Sequence, residues 1–340
     1  MNSYERVMAA FRHEEADRVP ITEFGVNSRV WKEAGCSSLY EFQQKVDYDM
    51  LVVRIKYKPH DDDGTFYNDV WGITFKRNGE ETGHSYVHPI EEPEDMDKLI
   101  IPPADDPYRF FYLEDAVKQY KGKKAICFST RACFLWAAEL CGMDNLLMLM
   151  ATEPEFVEEL LDKIVDNQIE VVKNALKMGA DVIDDTDDFG FNTGPLLSPK
   201  MFEKFIVPRL TRFADAVHAA GGKLIKHSDG NINLLLDMIV GCGVDAYHSI
   251  DPTAHMDLAS IKEKYGKKIT LFGNVDCGNL LTYGTPEDVR EAVKNCIKIA
   301  GPGGGYVLAS SNTIPATAKL ENVMMMVNAT REFGAYPITI

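Results

Sequence analysis

Residues 152–184, TEPEFVEELLDKIVDNQIEVVKNALKMGADVID, decide the fold. Val157, Leu160, Leu161, Ile164, Val171, Val172 and Ala175 recur at the 3.6-residue period of an amphipathic helix. Thr152 with Glu155 fits a capping box at its start, and Gly179 ends it. The β-branched run at 180–184 then reads as a short strand. Working outward, the same unit recurs, with strands predicted at 124–129, 223–227, 244–250, 268–274 and 305–310 and helical periods between them. Such alternation builds parallel strands joined by crossover helices. Runs at 19–24 and 51–56 bring the strand count to eight, which predicts an α/β fold, a (β/α)8 TIM barrel, as one domain over residues 1–340.

The barrel carries an expected N-terminal elaboration. Residues 1–13 present the apolar face Val7, Met8 and Phe11 and read as a helix. Between about 57 and 108 the texture changes to short runs such as 66–75, punctuated by Asp61-Asp62-Asp63-Gly64 and Asn78-Gly79, which predicts hairpins in an insertion. Ser198-Pro199 and Thr285-Pro286 place a capping hydroxyl before a first-turn proline. Met324, Met325 and Met326 read as core filling, and Gly301-Pro302-Gly303-Gly304-Gly305 as a tight turn into a strand.

Composition narrows the function. With 45% hydrophobic and 26% charged residues in 340, the chain is neither fibrous nor disordered. Its 36 Lys plus Arg against 52 Asp plus Glu leave a charge of −16, a poor match for nucleic acid or anionic membrane. The N-terminus lacks the apolar core of a signal peptide, and no run reaches the ~18 apolar residues that span a bilayer, so a cytoplasmic protein is expected. Seven cysteines without a CxxC pair predict buried thiols instead of a disulfide framework. No GxSxG elbow supports a hydrolase, and no GxGxxG follows the first strand.

In a barrel, catalytic groups sit where strands end, because the loops there converge on the axis. Six successive predicted strands end in polar residues: Arg131; Asp184, Asp185, Asp187 and Asp188; His227 and Asp229; Asp251; Asn274, Asp276 and Cys277; Ser310, Ser311 and Asn312. An imidazole, a thiolate and a carboxylate are the set a catalytic zinc accepts from protein, with one position left for water or substrate. His227, Asp229 and Cys277 supply that set, with Asp251 in reserve. His248, inside a strand, reads as a satisfied interior residue.

ERVMAAFRHEEADRVPI, DVWGITF, DDFGFNTGPLLSPKMFEKFIVPRL, KHSDGN, LFGNVDC with GTPEDV, and GGGYVLASSNTIP with ENV resemble, over nearly the whole chain, the uroporphyrinogen decarboxylase superfamily. Within it, the chain is more similar to the corrinoid-dependent methyltransferases. The decarboxylases bind propionates with an arginine-rich N-terminal segment, where this chain has Arg29 alone in FGVNSRVWKEAG. Coenzyme M methyltransferases hold zinc with His-x-Cys and a later cysteine; here His227 matches the histidine, Asp229 replaces the cysteine, and Ser310-Ser311-Asn312 covers the later position.

The resemblance implies transfer of a methyl group between a small O-, N- or S-methylated substrate and a corrinoid, with zinc as Lewis acid on His227, Asp229 and Cys277. Asp188 and Asn312 are the residues expected to orient the substrate. No DxHxxG cobalamin pattern occurs, so the corrinoid is expected on a partner protein. The alternative is a metal-free decarboxylase-like lyase acting on a carboxylated substrate. Neither substrate identity nor oligomeric state is legible.

Overall fold

The computed structural model describes residues 1–77 and 83–340; the expected Asn78-Gly79 turn lies outside them. Twelve strands form among the described residues. Seven build one parallel sheet, in the order β1 (Met50–Arg54), β5 (Ala125–Thr130), β6 (Val182–Asp185), β9 (Lys223–His227), β10 (Ala246–His248), β11 (Thr270–Val275) and β12 (Tyr306–Ser310). Helices lie between successive strands, giving a TIM-barrel-like α/β fold. A three-stranded antiparallel sheet, β2 (Phe66–Asn68), β3 (Thr74–Lys76) and β4 (His84–Val87), occupies the stretch expected to hold hairpins. A ribbon of β7 (Gly190–Phe191) and β8 (Gly194–Pro195) follows β6.

The expected strand at 19–24 does not form as one. Ile21 instead makes an isolated parallel bridge to Leu308. Its neighbourhood still bonds to both edges of the sheet. The Leu308 N–H donates to the Pro20 carbonyl at 2.9 Å and the Thr22 N–H to the Leu308 carbonyl at 3.1 Å, while on the other side the Asp49 N–H donates to the Ile21 carbonyl at 2.9 Å. Pro20 explains the lost strand, since it cannot donate to a ladder.

Strand side chains alternate faces, so every second residue shares one side. Met50 and Val52, Ala125 and Cys127, Val182, Ile225, Ala246, Phe272, Val307 and Ala309 form one buried apolar cluster. Helix Ser3–Phe11 closes one end of it with Val7, Ala10 and Phe11; its start is fixed by the reciprocal bonds of Asn2 and Glu5. Extended one step toward the strand ends, the same alternation puts Arg54, Ser129, Asp184, His227 and His248 on that face. The floor of the site is thereby set by the period of two.

Helix ends follow the sequence with one correction. Thr285 and Asp288 form a reciprocal box, and Ser198 accepts from the Met201 N–H at 3.3 Å. Thr152 does not cap the long helix Pro154–Met178. It ends the preceding helix, Met143–Thr152, donating its hydroxyl to the Met148 carbonyl at 3.2 Å, and Glu153 stands at the cap without a side-chain bond. Pro154 makes this possible, because the first helical turn needs no N–H from it. Gly304 turns with φ +71° beside Glu14, whose carbonyl oxygen would lie 2.4 Å from an added Cβ. All seven cysteines are buried and free. Among the described residues no single helix is long and apolar enough to cross a membrane.

Candidate metal and substrate site

His227 ends β9 and His248 ends β10, and the two are paired in register. Parallel partners in register project to the same face, so the rings meet: Nδ1 of His227 lies 2.6 Å from Nδ1 of His248. Nε2 of His248 lies 3.0 Å from the Ser310 carbonyl oxygen at the end of β12, and Phe24 stacks on the ring with centroids 4.1 Å apart. Nε2 of His227 faces the other way, 3.3 Å from Asp229 Oδ1 and 3.6 Å from Asp188 Oδ1.

The carboxylates are held from behind. The Asp229 backbone N–H donates to Asp188 Oδ1 at 2.9 Å, and the Asn312 amide donates to Asp229 Oδ2 at 2.6 Å. Asp229 Oδ1 is buried and accepts no aligned hydrogen bond. A carboxylate oxygen left in that state costs free energy unless a proton or cation meets it. One donor atom each from Asp188, His227 and Asp229 lies within 4.8 Å of the others, so the three can share a cation.

Charge coupling follows from this geometry. Burial opposes protonation of His227, but Asp229, Asp188 and Asp184 together outweigh it and lift the imidazole to about 9. Burial, reinforced by the charge on His227, lowers His248 to about 3. Burial also raises Asp188 despite its cationic neighbour, whereas Asp229 is held low because His227, His248 and Asn312 overcome its burial. A proton on His227 therefore occupies the place a metal would take.

Of the expected ligands, His227 and Asp229 come together with Asp188. Cys277 is not part of that group among the described residues. Its sulfur receives the Ser311 hydroxyl at 3.6 Å, and burial pushes the thiol up to about 12. Asp251 is turned back on its own loop, accepting from the Thr253 N–H and hydroxyl, both at 2.8 Å. Asn312, expected to orient substrate, spends its amide on Asp229 and its oxygen on the Thr313 N–H, although it also borders the cavity.

Asp185 and Asp187 serve the scaffold. Asp187 accepts from the N–H groups of Cys133, Phe134 and Leu135 at 2.7–2.9 Å, anchoring the start of helix Phe134–Cys141. Asp185 pairs with the fully buried Lys226 at 2.9 Å.

The triad opens on a cavity of about 650 Å³ between the strand ends and the β2–β4 sheet. Its wall includes Tyr57 and Trp136, whose rings meet edge to face at 5.3 Å, and the cations Arg54, Lys56, Arg77 and Arg131. Arg131 pairs with Glu139 at 2.7 Å and Arg77 with Asp62, while the Lys56 ammonium sits over the Tyr112 ring at 4.1 Å.

A family model described as uroporphyrinogen decarboxylase (URO-D) matches residues 67–333. The chain belongs to that family. It is 28% identical over 193 residues to the uroporphyrinogen decarboxylase of Pseudoalteromonas translucida, a match spanning 54% of this chain and 50% of that enzyme. It is 25% identical over 273 residues to the uroporphyrinogen decarboxylase of Aeromonas salmonicida, covering 74% and 72% of the two chains. Among solved structures, a methyltransferase from Methanosarcina mazei superposes with a TM-score of 0.79 at 21% identity, over 98% of this chain and 99% of that one; at that identity it establishes the shared fold.

In this URO-D family member, Arg131 is the one cavity cation among the polar strand ends legible in the sequence. Arg29, the lone arginine of FGVNSRVWKEAG, donates to the Ala316 carbonyl at 2.8 Å and does not border the cavity. Arg54 could have been found by extending the alternation of Met50 and Val52. Lys56, Arg77 and Trp136 carry no such signal. His248, expected in the interior, is buried, and its partner is the candidate ligand itself.

Proposed function

We propose that this protein moves a methyl group between a small O-, N- or S-methylated substrate and a corrinoid carried by a partner protein, using zinc. The catalytic unit is a single (β/α)8 barrel domain over 1–340 with an insertion at about 57–108. The observation that carries the reading is the Asp188–His227–Asp229 cluster, with a buried Asp229 oxygen that has no aligned hydrogen bond and faces His227, open to a cavity at the strand ends. The fold shared with the Methanosarcina mazei methyltransferase supports it.

His227 Nε2, Asp229 Oδ1 and Asp188 would hold the metal, a mixed nitrogen and oxygen set that leaves a position for the substrate heteroatom. Bound there, zinc supplies Lewis acidity to the departing heteroatom, and the partner's corrinoid supplies the cobalt nucleophile. Asn312 keeps Asp229 turned toward His227, and the Asp229 N–H keeps Asp188 in place. Tyr57 and Trp136 give the cavity an aromatic surface on which a small methylated substrate could pack. Cytoplasmic function without nucleic acid or membrane belongs to the same proposal.

Anaerobic incubation with cob(I)alamin and candidate methyl donors tests it. Formation of methylcobalamin, read from the visible spectrum and lost in His227→Ala, is expected; full activity in zinc-free protein would overturn it. A second reading, a metal-free lyase acting on a carboxylated substrate, is favoured by the four cations on the cavity wall. Release of CO2 from such a substrate by chelator-treated protein would select it.

A further inference from the structure

We infer that His248 is a positioning residue that fixes the tautomer of His227, holding a proton on Nδ1 so that Nε2 alone is offered to the cavity. The inference rests on the preceding section's reading of the cluster as a cation site. Its starting point is the Ser310 carbonyl, which can only accept. At 3.0 Å from that oxygen, Nε2 of His248 must carry hydrogen. The neutral ring then has a bare Nδ1, and the 2.6 Å contact requires a hydrogen from Nδ1 of His227. The alternative, a doubly protonated His248, would bury a cation whose hydrogen-bond partners are a carbonyl and an imidazole.

The geometry leaves little room for another arrangement. His248 is fully buried, stacked under Phe24, and paired in register with His227 by the β9–β10 ladder. A ring so confined cannot flip to present carbon without stranding two polar contacts. Histidine ligands generally donate their second nitrogen to a carboxylate, a carbonyl or water. Here a second imidazole accepts, and the strand ends β9, β10 and β12 are tied into one relay from His227 to Ser310.

Two measurements test this. In protein labelled with 15N in its imidazoles and held above pH 9, where His227 is neutral, a scalar coupling between Nδ1 of His227 and Nδ1 of His248 across the hydrogen bond is expected, with the single proton of His227 on Nδ1; a bare Nδ1 on His227 would overturn the inference. This readout needs no metal, so it stands or falls separately from the proposed function. Zinc titration supplies the second. His248→Phe keeps the ring stack and removes the acceptor, and should weaken zinc binding about 10–100-fold. His248→Asn, whose Oδ1 can take the place of Nδ1, should recover most of that loss. Unchanged zinc affinity in folded His248→Phe, or equal weakening in both variants, would count against tautomer control.

Discussion

Asn312 and Asp229 stand 83 residues apart in the chain, yet the amide of one donates to the carboxylate of the other at 2.6 Å. That bond uses Oδ2 of Asp229 and leaves Oδ1, without an aligned donor, facing His227 at 3.3 Å. Asn312→Ala should therefore free the carboxylate to rotate, lowering zinc affinity by about 10-fold with little loss of thermal stability. Competition with a chromogenic chelator, alongside a melting curve, separates the two effects.

Cys277 gives a sharper contrast. Its buried thiol is engaged with Ser311 and stands outside the donor group. Cys277→Ser should retain one zinc per chain by elemental analysis, while His227→Ala and Asp229→Ala lose it. Zinc lost from the serine variant with the fold intact would return the thiolate to the ligand set.

Glu23 predicts a pH dependence of stability. Its carboxyl is fully buried, and the Ser310 hydroxyl oxygen lies 2.6 Å both from Glu23 Oε2 and from the Asn312 carbonyl oxygen. One hydroxyl hydrogen cannot serve both acceptors, so the other must come from a protonated Glu23. Burial, only partly offset by Ser310, raises this carboxyl from 4.5 to about 8. Below pH 4.5 both folded and unfolded chains hold the proton. Between 4.5 and 8 the unfolded chain releases it first, so stability falls as pH rises, and the full cost is reached above 8. Glu23→Gln, which can satisfy the same partners without ionising, should gain on the order of 3 kcal/mol over wild type at pH 8.5 and little at pH 4.5. Denaturant titrations at the two pH values measure the difference.

Asp187 should prove structural. Three backbone N–H groups at the start of helix Phe134–Cys141 converge on its carboxylate. Asp187→Ala strands them in a buried setting and should cost about 3 kcal/mol of stability. Urea unfolding reports it, with the midpoint falling and zinc stoichiometry unchanged in the folded fraction.

The alternation of helical and strand periods, the proline starts at Pro199 and Pro286, and the glycine stop at Gly179 were sufficient to read the α/β architecture and most of its elements from the chain alone. These are local properties: each is fixed by side chains within a few residues of one another. Polar strand ends likewise marked His227, Asp229 and Asp188 as candidates. Which of the candidates meet is not a local property. It depends on strand register and on the path each loop takes after its strand, and these set His248 against His227, brought Asn312 onto Asp229, turned Asp251 back on Thr253 and left Cys277 beside Ser311. Strand alternation assigns a side chain to a face, but a hydrogen bond between distant strands needs their relative height, and only the packed sheet supplies that.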